Sequence, residues 1–368
     1  NATSTNATTT YLAVTNIAST SILTVTSVSA TSTFSTGGLT VGTNQLVIIG
    51  SNGNIGIGTT TPESRLQVVG NITNIASERF NPVLTGSSTI MTGTPNVYIS
   101  GRYAYVAGAS LLQIFDVSTS SPALVGSTAL SGGANGGLYV SGRYAYVGAS
   151  SKIEIYDVSN PSTPVRTGSV TASNGLISLS VSGRYAYAAG QSLAQLQIFD
   201  VSNPTTPFQV GFASTTGPTL SDVSVSGKYA YTLNQGGTDA LNIFDISNAA
   251  TPTIEGSVAV GSDAVGLSVS GRYAYVITNG ANTLVVIDIS NPKSPVIIST
   301  VTPGAGQAIF VSGRYAYIHN TGQLNVYDVS NPLSPIIVGS VTAPSTGDMF
   351  VSGRYAYIVD NNNNLLKV

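Results

Sequence analysis

Few side chains in this sequence can do chemistry, and most of those recur at a fixed spacing. Arg102 precedes Asp116 by 14 residues, Arg143–Asp157 and Arg314–Asp328 repeat the interval, and it stretches to 16 or 17 elsewhere. Antiparallel pairing across a hairpin sets such ends side by side, so the pattern predicts a repeated ion pair or an Asp-capped turn. Seven of the 13 Lys and Arg residues and six of the 15 Asp and Glu residues belong to it, so almost half of the charge is scaffold. With no cysteine, the chain has no disulfide, thiolate ligand or Cys nucleophile. The single histidine, His319, beside Asn320 and Thr321, reads as an exposed residue of a variable hairpin. Asp222 and Asp348 stand out at a repeat position otherwise held by Asn96, Gly137, Ser178, Gly266 and Ala308. With neighbouring carbonyls they are weak candidates for Ca²⁺, which takes oxygen ligands. They fall in different repeats that are not neighbours, so no cofactor is expected and no catalytic residue is assigned.

Those residues must be carried by a scaffold, and the composition narrows its kind. Among 368 residues only 8% are charged while 42% are hydrophobic, and the net charge is −2. The basic residues are dispersed, so no patch exists to neutralise phosphates, which argues against nucleic-acid binding. No apolar run approaches the roughly 18–20 residues that span a bilayer. The inventory predicts a non-enzymatic all-β protein.

Internal repetition decides the architecture. Ser-Gly-Arg-Tyr-Ala-Tyr begins at Ser100, Ser141, Ser182, Ser270, Ser312 and Ser352, and a copy at Ser226 carries Lys228 in place of Arg. Spacings of 41, 41, 44, 44, 42 and 40 residues suit one four-stranded propeller blade each. Each unit reads as a strand entering the Ser-Gly turn, a Tyr-Ala-Tyr strand, a strand ending in Asp, and a strand after a Ser-Asn-Pro turn. Proline fixes φ in that turn and Asn folds back on its own backbone. The Tyr and Ala residues alternate faces, so a bulky face of one blade packs on a small face of the next. Counting strand types leaves an orphan fourth strand at Pro82–Gly86 and a last blade without one. The expectation is a seven-bladed propeller over residues 79–368, closed by Pro82, Val83 and Leu84 against Leu366 and Val368.

The Ser-Gly-Arg-Tyr-Ala-Tyr and Ile-Phe-Asp-Val-Ser-Asn-Pro strings resemble the LVIVD-type repeat family of bacterial and archaeal surface proteins. The resemblance covers roughly residues 81–368. It implies a β-propeller and an extracellular or cell-surface location, with no catalytic residues to carry over.

Residues 1–36 have another texture, rich in Thr, Ser, Asn and Ala and without charge. Alternating apolar positions around Leu12 and Val14, and at Ile22, Leu23, Val25 and Val28, predict strands that need a partner. Residues 37–78 read as a small β module. Its Gly-Asn-Ile-Gly-Ile-Gly-Thr-Thr-Thr-Pro string, starting at Gly53, resembles repeats of phage tail fibres and bacterial surface fibres. Gly56 and Gly58 are not a phosphate loop, since no Lys-Ser/Thr or helix follows.

Two functional classes follow. The first is a structural subunit of an extracellular filament, self-assembling head to tail as its front strand inserts into the next copy. The second is an adhesin whose loop face recognises a glycan or a surface protein, with the longer hairpins Gln191–Gln195 and Gln235–Ala240 as the distinctive loops. An enzyme is the least favoured class, because fold alone cannot argue for one.

Overall fold

The structure, a computed structural model, describes residues 39–41, 46–49, 54–57, 59, 61–69 and 81–368, less 94, 135, 238, 321 and 344–346. The chain divides into two compact units, Asn1–Ala76 and Ser77–Val368. The predicted assembly strands carrying Leu12, Val14, Ile22, Leu23, Val25 and Val28 lie outside the described residues.

In the first unit, strands Leu39–Val41, Leu46–Ile49, Asn54–Ile57 and Leu66–Val68 form one sheet in sequence order. The first three pair antiparallel, and the fourth returns parallel to the third. A Cβ at Gly56 would meet the Thr59 carbonyl oxygen at 2.5 Å, so glycine there answers a close backbone approach.

The second unit is an all-β, seven-bladed propeller in which each blade is a four-stranded antiparallel sheet. Blade one comprises Asn96–Ser100, Tyr103–Gly108, Leu111–Asp116 and Ala123–Ala129, from the channel outward. The inner strands of blades two to seven are Leu138–Ser141, Leu176–Ser182, Thr219–Ser226, Ala264–Ser270, Gly306–Ser312 and Met349–Ser352. Every inner strand ends on the motif Ser, and the Gly after it turns the chain in the left-handed region, at φ +59° in Gly101 and +58° in Gly353. A side chain would be strained there, which is why the motif carries glycine.

One apolar cluster fills each junction between blades. At the first, Tyr105, Leu112 and Ile114 of blade one meet Ala145, Val147, Tyr156 and Val158 of blade two. Tyr146 packs with Ala186, Tyr187 with Ala230, Tyr231 with Ala274, Tyr275 with Ala316 and Tyr357 with Ala104 in the same sense. Large against small at every junction lets adjacent twisted sheets interdigitate at close-packed density. A second repeated contact seals the periphery. A Cβ at Gly168 of one outer strand would sit 2.2 Å from the Pro204 carbonyl oxygen in the next blade's turn. Blade five carries Ser299 at that position, and its hydroxyl donates to the Pro332 carbonyl at 2.9 Å.

The ring closes from the N-terminal side. The seventh sheet combines Met349–Ser352, Tyr355–Asp360 and Leu365–Lys367 with an outer strand contributed by Ser87–Thr89. Ladder pairing begins a few residues beyond the expected Pro82–Gly86. The joint extends to Val368, whose amide donates to the Gly86 carbonyl at 2.9 Å and whose carbonyl accepts from Thr85 N at 2.7 Å. Pro82, Val83 and Leu84 continue along the blade edge, where Val83 and Leu84 are exposed. Leu366 and Val368 are buried in the cluster shared with blade one.

Candidate functional site

The repeated charges come first because the hairpin geometry dictates their meeting. In blades one to six the motif Tyr that follows the base pairs in register with the Asp ending the third strand, as in Tyr103↔Asp116, Tyr144↔Asp157 and Tyr315↔Asp328. The preceding base therefore reaches the carboxylate. Arg102–Asp116, Arg143–Asp157, Arg184–Asp200, Arg272–Asp288 and Arg314–Asp328 are ion pairs, and Lys228 meets Asp245 at 2.9 Å. The second carboxylate oxygen caps the following turn, accepting from Ser118 N, Ser159 N and Ser330 N at 2.9 Å in three of the copies. The Arg102 guanidinium and the Ser118 donors hold Asp116 well below the usual carboxylate range. Arg314, Ser330 and its amide bring Asp328 down to about 2 against the cost of burial. These aspartates stay ionised and fully engaged, which is scaffold chemistry rather than acid–base chemistry.

The channel holds the remaining polar chemistry. Asn96, Gly137, Ser178, Asp222, Gly266, Ala308 and Asp348, one per blade, converge around a cavity of about 350 Å³. Asp222 and Asp348 are half-buried there. Burial pushes each up to about 6, opposed by the hydrogen bonds each accepts. The charge of Asp222 across the channel adds a smaller push upward on Asp348.

Both carboxylates are already committed to neighbouring blades. Asp222 accepts from Ser178 Oγ at 2.7 Å in blade three, from its own blade's Val223 N at 2.8 Å, and from Leu267 N at 2.9 Å in blade five. Asp348 accepts from Met349 N at 2.8 Å and from Val97 N at 3.0 Å across the closing junction. Among the described residues no group of three or more His, Cys, Asp or Glu side chains is arranged to hold a metal ion. The two aspartates act as staples between blades.

Two residues further along the inner strands lies a layer that the sequence reading did not single out. Phe310, Phe350, Tyr98 and Tyr139 of blades six, seven, one and two form a continuous arc, with ring centroids 4.7–4.8 Å apart. Ser180, Ser224 and Ser268 hold the same position in blades three to five. The channel thus has an aromatic wall facing a hydroxyl wall, and lining up the residue two before each motif Ser would have found it.

His319 corrects the expectation of an exposed hairpin residue. It is fully buried, because the strand Tyr315–Asn320 runs through it and the hairpin is confined to the residues beyond. Its ring nitrogens lie 3.3 Å from the Gly347 and Ala343 carbonyls. Burial lowers its pKa, against the opposing pull of those carbonyls. Of the two longer hairpins, Gln235–Ala240 is tied down. Asp239 accepts from Gly236 N at 3.0 Å and from Ala264 N in the next blade at 2.9 Å.

A closed ring of seven repeats, its repeated charge turned inward on its own turns, defines the class as a repeat-built seven-bladed β-propeller. The family model described as LVIVD repeat matches residues 93–129, 132–172, 177–215, 219–260, 261–302, 303–343 and 344–368, and the chain belongs to that family. A comparison with curated protein sequences returned no match.

Among solved structures, the β-propeller domain of Cps50 (Swd1) from Myceliophteria thermophila superposes with a TM-score of 0.60 at 15% identity. The match covers 77% of this chain and 98% of that one. The computationally designed protein Ika8 gives 0.55 at 10% identity over 77% and 98%. A putative 6-phosphogluconolactonase from Bacteroides fragilis gives 0.60 at 14% identity over 74% and 88%. At these identities the likeness is one of fold.

Proposed function

We propose that the protein is a structural subunit of an extracellular filament or surface fibre. The propeller is the bead and the N-terminal β segment, residues 1–36, is the connector to the next copy. The observation that carries this reading is the rim. Every blade presents exposed apolar side chains on its outermost strand or edge: Leu124, Val165, Phe208, Ile254, Val296 and Ile336 in blades one to six, with Val83 in blade seven. A girdle of this kind on a chain with 8% charged residues suits a surface that is covered in an assembly. The fibre-like string at Gly53 and the surface setting typical of LVIVD proteins support the same reading. Residues 1–36 supply strand propensity without a charge, which suits β-strand addition.

Electron microscopy of the full chain beside a version lacking residues 1–36 tests it. Filaments from the first and isolated rings from the second are expected. Isolated rings from both would overturn self-assembly.

A second reading, a binding propeller for a glycan or surface protein, is favoured by the channel. Its polar cavity of about 350 Å³ and the aromatic arc below it offer hydroxyl-accepting and ring-stacking groups together. Glycan-array screening of the propeller reads this out.

A further inference from the structure

The polar cavity of the channel carries charge of one sign only. Asp222 and Asp348 line its volume of about 350 Å³, and no Lys, Arg or His belongs to the described wall. The turn aspartates of blades one to six each meet a base, and Glu154 meets Arg166. Asp222 and Asp348 meet backbone amides and the Ser178 hydroxyl instead. Their oxygens are hydrogen-bonded, yet their two negative charges have no counter-ion in the wall, which leaves a buried field that favours a cation.

The wall also holds acceptors that are still open. A carboxylate has about four acceptor sites, and Asp348 uses two of them, for Met349 N at 2.8 Å and Val97 N at 3.0 Å. Asn361 belongs to the same wall, and its Oδ1 is buried with no hydrogen-bond partner among the described residues. That oxygen lies beside Asp348, since a Cβ built on the preceding Gly347 would meet it at 3.0 Å. Buried acceptors are normally satisfied, so an orphaned one on a cavity wall marks the place of a missing donor. Asn96 and Gln307 add carboxamides to the wall, and a carboxamide both donates and accepts, as a sugar hydroxyl does.

We propose that this cavity binds a terminal amino sugar of a glycan through its free, protonated amine. The ammonium donates to Asp348 and to Asn361 Oδ1, while Asp222 supplies the second negative charge from across the channel. Asn96 and Gln307 take ring hydroxyls. The volume is at the small end of ligand pockets, so it admits one sugar ring at the end of a chain. The same field repels uronates, sialates and phosphorylated sugars. A primary ammonium suits the site better than a metal ion, because Asp222 already accepts from three donors and no third carboxylate or imidazole joins the pair among the described residues. The inference rests on the reading of the channel as a glycan site and is independent of filament assembly.

The test is saturation-transfer NMR on the intact chain at pH 7 with D-glucosamine, N-acetyl-D-glucosamine, D-glucose, D-glucuronate and the sugar-free amine cadaverine. Saturable binding of glucosamine alone is expected, with a Kd of about 1–10 mM. Asp348→Asn should weaken it about tenfold, and Asn361→Ala and Asp222→Asn about two- to threefold each. Binding should also fade from pH 7 to pH 5, as Asp222 and Asp348, both raised to about 6, take up protons. No other titratable side chain lines the described wall, and the phenols of Tyr98 and Tyr139 belong to the aromatic layer beyond it. The ligand series on the wild type reads the amine preference without any substitution, so it stands even where a variant fails to fold. Equal binding of glucose or N-acetylglucosamine, or undiminished binding by Asp348→Asn with wild-type circular dichroism, overturns the amine site and leaves the glycan reading standing. Cadaverine bound as well as glucosamine overturns a sugar as the occupant. Binding of no saccharide, here or on the glycan array, overturns both.

Discussion

Glu154 offers the sharpest test of how the blades are latched together. It sits in the third strand of blade two, fully buried, where blades one and three carry Gln113 and Gln197. Those glutamines accept backbone amides of the connecting segments, Met91 N at 2.9 Å and Ser173 N at 2.8 Å. Glu154 makes the same contact with Ser131 N at 3.2 Å. It also accepts from the Ser131 hydroxyl and from Tyr156 OH at 2.7 Å, and faces Arg166 at 3.3 Å. Glu154→Ala strips the acceptor from a buried amide and hydroxyl and removes the anion beside Arg166, at an expected cost of roughly 3–5 kcal/mol. Glu154→Gln keeps the amide acceptor in the form its sister blades use, and should cost about 1 kcal/mol. Burial raises the Glu154 pKa, but the Ser131 and Tyr156 hydroxyls, the Ser131 amide and Arg166 outweigh it and hold it below 4.5. A depressed native value means that the carboxylate's contribution is present above the unfolded pKa and is lost as pH falls through the native one. Urea denaturation followed by far-ultraviolet circular dichroism, at pH 7 and again below pH 4.5, reads both effects. Wild type should lose its advantage over Glu154→Gln on acidification. Equal costs for the Ala and Gln variants, or a pH-independent difference between Gln and wild type, would refute the latch.

The remaining predictions concern burial and close approach elsewhere in the ring. Because burial lowers the His319 pKa, its stabilising share is present above about pH 6.5 and declines as pH falls below that. The wild-type Tm should therefore drop more steeply than that of His319→Gln between pH 7 and pH 5. Asp222 is raised to about 6 from 3.8, so the native state binds more protons than the unfolded one between those values. The stability of Asp222→Asn relative to wild type should rise from pH 4 to pH 6 and level off above, and a flat difference would show that the carboxylate is not desolvated. Gly168→Ala places a methyl group 2.2 Å from the Pro204 carbonyl oxygen and should cost roughly 1–3 kcal/mol in urea denaturation as overpacking. No loss would mean that the neighbouring turn yields freely.

What the sequence disclosed follows from what repetition amplifies. Seven copies of Ser-Gly-Arg-Tyr-Ala-Tyr make turn, strand and partner recur together, so blade number, direction of closure and the meeting of Arg102 with Asp116 can all be read by counting. A single copy of a feature has no such support. His319 looked like a loop residue because its neighbours Asn320 and Thr321 are turn formers, yet the hairpin is short enough that the strand swallows the imidazole beneath the Ala343 and Gly347 carbonyls. Glu154 and the outer-strand glycine Gly168 serve contacts between blades rather than within one. Their roles depend on the rotation from one sheet to the next, which no pattern along a strand reports. The channel shows the same limit from the other side. Asp222 was conspicuous as a rare charge at a small-residue position, but only the ring shows that its oxygens accept from blades three and five. The same carboxylate that suggests a cation site in one dimension is a staple in three, since the amide donors aimed at it already neutralise its demand for hydrogen bonds.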